Sequence, residues 1–206
     1  MPAPVPSPRR IVVLASGTGS LFEALVEAGR DGRAASVVGL VCDRPDAAVL
    51  ARAQRLGVPV RLVPLRPGTD RTAWDTDLAA ALRSFEPHLV VSAGFMRLLG
   101  PQALGAFPDR VVNSHPALLP AFPGAHAVRD ALAYGVRVTG CTVHLVDAGV
   151  DTGPVLAQQA VAVRPDDDED ALHERIKAVE RVLLPATVDD MLARGWSVAG
   201  RRVTIG

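Results

Sequence analysis

The chain has 206 residues, 22 of them Lys or Arg and 22 Asp or Glu, so its net charge is zero. A protein that neutralises nucleic-acid phosphates carries a basic surplus, so this balance argues against a polyanion partner and leaves room for one phosphorylated small molecule. Two widely spaced cysteines, Cys42 and Cys141, exclude a disulfide scaffold and a zinc ribbon. They read as small core residues in a reduced, cytoplasmic setting.

The start, MPAPVPSPRR, alternates proline and has no apolar core. It is expected to be a disordered arm over residues 1–10, followed by one domain over 11–206. Residues 11–15 (IVVLA) form a short β-branched run, the pattern of a strand buried on both faces. A glycine loop (SGTGS, 16–20) and a helical stretch (21–28) follow. Residues 36–42 give a second strand, the region near 47–56 a helix, 58–63 a third strand and 71–85 a helix. Residues 88–93 and 110–113 supply a fourth and a fifth strand. Strands alternating with helices predict a Rossmann-like α/β fold, a mostly parallel twisted sheet with helices on both faces. Beyond residue 135 the pattern changes. Two longer strands, 136–146 and 155–163, flank a turn at 147–154, which predicts an antiparallel extension of the sheet. The acidic run DDDED (166–170) precedes a long helix, as suits a helix dipole, with an interruption expected at Pro185. Residues 196–205 have the pattern of a small hairpin. No apolar run reaches the ~20 residues needed to cross a bilayer.

Three segments carry chemistry. Gly17 and Gly19 sit between a strand and a helix, where outward backbone N–H groups bind phosphate. Asp43 ends the next strand, in the place of a ribose-binding acid, so a nicotinamide-dependent oxidoreductase is a competing reading. The dinucleotide fingerprint wants a third glycine where this chain has Phe22. In VVNSHPALLPAFPG (111–124), Asn113 and His115 lie two apart on extended chain and face the same way. An amide and an imidazole at one point can stabilise an oxyanion and move a proton. Ser114 faces away and no G-x-S-x-G is present, so direct attack by a substrate nucleophile is favoured over a covalent enzyme intermediate. The turn DAGVDTGP (147–154) brings Asp147 and Asp151; one of them beside His115 would raise the histidine's pKa. Spacing does not choose between them.

Taken together, IVVLASGTGS, SAGFMRLL, VVNSHPALLPAFPGAHA and GCTVHLVDAGVDTGPVLAQ resemble the glycinamide ribonucleotide formyltransferases of purine biosynthesis, over nearly the whole chain from Ile11. The resemblance implies a folate-dependent enzyme with 10-formyltetrahydrofolate as co-substrate and no metal. It implies a catalytic trio of Asn113, His115 and Asp151. Gly17, Thr18, Gly19, Ser20 and Leu21 would hold the substrate phosphate, although many relatives have Asn where this chain has Leu21. Glu180 would lie near the glycinamide substrate. Arg71, Met96, Arg97, Leu98, Leu99, Asn113, Asp147, Ala148, Gly149, Val150 and Asp151 would meet the folate. His126 would support the loop. The chain is too short for the extra domain of a methionyl-tRNA formyltransferase or a formyltetrahydrofolate deformylase, so those relatives, and a non-catalytic phosphate- or folate-binding module, rank below. The partners expected are small molecules, with neither nucleic acid nor membrane, on a monomer or homodimer.

Overall fold

The computed structural model describes residues 9–30 and 35–206. Seven strands form one sheet in the order β3-β2-β1-β4-β5-β6-β7. Strands β1 (Arg9–Leu14), β2 (Ala35–Cys42), β3 (Val60–Leu62), β4 (Leu89–Ser92) and β5 (Val111–His115) run parallel. Strands β6 (Val138–Leu145) and β7 (Val155–Ala162) pair antiparallel to β5 and to each other, which is the expected extension. A separate hairpin, β8 (Trp196–Ala199) and β9 (Arg202–Ile205), ends the chain.

Both sheet faces are covered, as crossover connections require. On one face α1 (Ser20–Arg30), α2 (Val49–Leu56) and α6 (Glu169–Arg194) pack with Ile11, Val13, Leu40, Val91 and Val112, and the β8–β9 hairpin adds Trp196 and Val203. On the other, α3 (Arg71–Arg83) and α4 (Pro101–Ala106) bury Trp74, Leu78, Leu82 and Ala103 against Val12, Leu14, Val90 and Val111. The alternation of neighbours such as Val12 and Val13 between two cores explains why the strand reads as a continuous apolar run. A smaller cluster joins α5 (Ala127–Tyr134) and α6 through Val128, Cys141 and Ile176. Both cysteines are fully buried, and burial pushes the Cys141 thiol up to about 12.

Two expectations are revised. Residues 1–8 of the proposed arm lie outside the described residues, and Arg9 and Arg10 belong to β1, where Arg10 donates to the Phe85 carbonyl at 2.6 Å. The long helix is not interrupted: α6 runs 26 residues through Pro185. Proline costs a helix one hydrogen bond, but Leu184, Pro185, Val188 and Met191 are all buried, and that packing holds the helix on course. The acidic run supplies its start, with the Asp168 carboxylate accepting from Ala171 N at 2.8 Å. Among the described residues no helix is long and apolar enough to cross a membrane.

Candidate active site

The parallel strands end at one edge of the sheet, where open α/β folds bind ligands. Two cavities meet there. The larger, about 580 Å³, runs from the glycine loop past residues 93–98 to Asn113, His115 and Asp151, with His173, Lys177 and Glu180 of α6 on its wall. The smaller, about 100 Å³, lies between residues 97–99 and 146–151 and is bounded by Ser92, Phe95, Asn113 and His144. Phe95, Arg97, Leu98, Asn113, Val150 and Asp151 line both.

The glycine loop is shaped by a helix crossing behind it. Gly19 has φ of 79°, and a Cβ there would fall 2.4 Å from Val49 Cγ2 of α2. The Val49 amide also donates to the Gly17 carbonyl at 3.1 Å. Helix α1 therefore starts at Ser20 with its first N–H groups unused within the helix and its positive end toward the cavity. Gly17, Thr18, Gly19, Ser20 and Leu21 all line that cavity. Leu21 is also packed into the core, so what it offers a ligand is backbone. Across the cavity stand His173, Lys177 and Glu180, at i, i+4 and i+7 on one face of α6. Glu180 is buried, accepts from Ser114 Oγ at 2.6 Å, and is held above the ordinary glutamate range by that burial.

At the junction of the cavities β5 delivers Asn113 and His115 on one face, while Ser114 between them turns to Glu180. The antiparallel register sets His144 of β6 directly opposite Asn113. Asn113 Nδ2 lies 3.2 Å from His144 Nε2, and His144 Nδ1 lies 2.8 Å from the Leu145 carbonyl. That carbonyl takes the Nδ1 proton, which leaves Nε2 to accept from the amide. Asp151 then closes the group. Its Oδ2 is 3.2 Å from His115 Nδ1 and accepts from Gly124 N at 2.8 Å, and its Oδ1 is 3.6 Å from His144 Nε2. Asp151 sits at φ of 54°, a left-handed conformation that aspartate tolerates better than most residues. His144 foremost, when its ring is protonated and Nε2 donates, then the Gly124 N–H and His115, hold its carboxyl below the ordinary aspartate range against burial.

Geometry thus separates the two aspartates. Asp147 spends its Oδ1 on Gly149 N at 3.0 Å and Thr152 Oγ1 at 2.6 Å, folding its own loop, while Asp151 reaches His115. The expected rise in the His115 pKa is not what the pocket produces. Burial is the largest influence and lowers it, outweighing Asp151 and the Phe122 carbonyl, which both pull it up. The Phe122 carbonyl lies 2.8 Å from His115 Nε2, so both ring nitrogens face oxygen.

Leu99, Asp147, Ala148 and Gly149 line the smaller cavity, but Met96 lines only the larger. Arg71 lines neither; its Nη2 donates to the Leu98 carbonyl at 2.8 Å, and its guanidinium lies 4.5 Å above the Trp74 ring. His126 is exposed and does not cap α5 with its side chain. Asp43 is not free for a ribose: it is buried, accepts from Ser16 Oγ at 2.6 Å and pairs with Arg97 Nε at 2.7 Å. The oxidoreductase reading loses its acid there. Sequence reasoning missed His144, His173 and Lys177. The i, i+4, i+7 spacing with Glu180 was the available signal for the last two.

A strand-end amide, imidazole and carboxylate thus stand beside a helix start suited to phosphate. The sequence profile described as formyl transferase matches residues 9–188. The chain belongs to the formyl transferase family. It is 56% identical over 203 residues to a phosphoribosylglycinamide formyltransferase of Mycobacterium tuberculosis, covering 98% of this chain and 94% of that one. It is 38% identical to the Bacillus subtilis enzyme of the same name, covering 89% and 95%. Its fold is similar to the crystal structure of glycinamide ribonucleotide transformylase 1 from Symbiobacterium toebii, with a TM-score of 0.92 and 43% identity over 96% of this chain and 93% of that one. The family profile stops before the β8–β9 hairpin, which the Mycobacterium and Symbiobacterium matches are long enough to reach.

Proposed function

We propose that the chain transfers the formyl group of 10-formyltetrahydrofolate to the amine of glycinamide ribonucleotide. The observation that carries this reading is the meeting of two cavities at Asn113 and Asp151, with His115 against that carboxylate. The larger cavity suits a phosphorylated ribose: helix α1 points its positive end at one extremity, Lys177 adds a cation, and Glu180 offers a buried acceptor. The smaller, bounded by loop backbone and by Phe95, Leu98 and Leu99, offers apolar walls for the folate's heterocycle. The formyl carbon then lies where the two substrates meet.

The neutral amine attacks the formyl carbon, a C–N bond forms, and the carbonyl oxygen becomes an oxyanion. The intermediate collapses as the bond to the folate nitrogen breaks, and the proton lost by the amine passes to that nitrogen. Asn113 has one N–H on His144; the other has no partner among the described residues and can meet the oxyanion without rearrangement. His115 needs an exchange: Nε2 leaves the Phe122 carbonyl for the substrate oxygen. The ring's burial favours the neutral form at rest, and a developing oxyanion favours the proton. His115 therefore gains charge as the transition state does, which is the differential stabilisation that lowers a barrier. Asp151 orients the ring and, through water, can carry the migrating proton.

The test is a two-substrate assay following tetrahydrofolate and formylated amine together. Equal formation of both products is expected. Release of formate without amine formylation, or no turnover by folded protein, would overturn the reading.

A further inference from the structure

We propose that Asp43 is a positioning residue for the wall that the two cavities share. The proposal rests on the reading of the smaller cavity as the folate site. The Asp43 side chain is 1% exposed and spends its two oxygens on different parts of that wall. Oδ1 accepts from Ser16 Oγ at 2.6 Å, and Oδ2 accepts from Arg97 Nε at 2.7 Å. Because the Ser16 proton goes to Asp43, the hydroxyl oxygen is left as an acceptor, and it takes the Met96 N–H at 2.9 Å. One carboxylate therefore fixes two consecutive residues, the backbone at 96 and the side chain at 97.

The other end of the segment is tied independently. Arg71 holds the Leu98 carbonyl at 2.8 Å, and Asp75 Oδ1 accepts from Gly100 N at 2.8 Å. Between these ties Arg97 and Leu98 line both cavities. The Arg97 side chain is 38% exposed, so without Asp43 it turns to solvent rather than being stranded in the interior. Removing the carboxylate thus releases the wall while the core of the sheet stays packed. The effect expected is looser binding of the folate with the chemical step largely kept, since the segment supplies shape and not protons.

Asp43→Asn keeps an acceptor for Ser16 and removes the ion pair. It is expected to raise the KM for 10-formyltetrahydrofolate about tenfold and leave kcat within about threefold. Arg97→Ala should do the same, and the double variant should be no worse than the worse single one. In the ligand-free protein the Met96 amide should exchange about tenfold faster in Asp43→Ala than in the parent. Additive losses in the double variant, or unchanged KM together with unchanged Met96 exchange, overturn the proposal. Should Asp43 variants fail to fold, Ser16→Ala and Arg97→Ala cut the two arms separately and give the same readouts. A parent with no formyl transfer sinks the functional reading, while Met96 exchange still decides the clamp.

Discussion

At the scale of single residues, the site divides its labour by what each group already touches. Asn113 offers an N–H with no competing partner among the described residues, so Asn113→Ala removes an oxyanion donor together with the contact to His144 Nε2. A lost donor of this kind typically costs ~3–4 kcal/mol. Turnover should fall about 10²–10³-fold with KM little changed, and steady-state kinetics on both substrates checks it. Asp151 has two jobs, a charge beside His115 and a left-handed backbone at φ 54°. Asp151→Asn keeps the conformation and removes the charge; Asp151→Ala removes both. The Asp151 carboxylate raises the His115 pKa against burial, so its loss should move the His115 titration further below the parent's. Imidazole proton shifts followed by NMR from pH 4 to 8 would show it. An Asp151→Asn titration coincident with the parent's would detach the carboxylate from the ring.

Among the elements, what the sequence disclosed depended on periodicity and on local spacing. Strands β1, β2 and β4 stood out as β-branched runs because both faces are buried. Helix α4 has six residues and α5 eight, too few turns for an apolar stripe to repeat, and neither was expected. The pairing of Asn113 with His115 could be seen as two residues of one strand. His144 could not, because it reaches Asn113 only through the β5–β6 register, 31 residues away. The glycine loop lies between: its phosphate-binding shape was legible, but the reason Gly19 must be glycine lies in α2. A Cβ at 19 would meet Val49 Cγ2 at 2.4 Å and Val49 Cα at 3.1 Å, at a positive φ besides. Gly19→Ala should therefore destabilise by about 1–3 kcal/mol and weaken the phosphorylated substrate. At Gly17 a Cβ has nothing within 4 Å, and Gly17→Ala should stay within about 0.5 kcal/mol. Urea midpoints of the two variants should differ in that order.

For the whole molecule, the site leaves a mark on stability that pH can read. Burial raises the Glu180 pKa, so between its unfolded and folded values the native state holds a proton that the unfolded chain has lost. Stability drawn from Glu180 is thus present below about pH 4.5 and lost as pH rises through the folded value. The depressed groups act the other way. His115 is lowered, so acidification below about 6.5 costs stability as the unfolded chain takes up the proton first. Asp151 and Asp167, the latter drawn down to about 2 chiefly by its hydrogen bond with Arg175, hold stability that is lost as pH falls through their lowered folded values. Glu180 is therefore the group whose neutral replacement should help at neutral and alkaline pH. Glu180→Gln retains an acceptor for Ser114 Oγ without the buried charge. Its urea midpoint should match the parent's near pH 4 and exceed it increasingly toward pH 8. If the carboxylate is kept buried for the ribose end of the substrate, the same variant should raise the KM for glycinamide ribonucleotide more than that for the folate. A variant that gains no stability between pH 4 and 8 would mean that the Glu180 charge is already compensated, with Lys177 the nearest candidate on the same helix face.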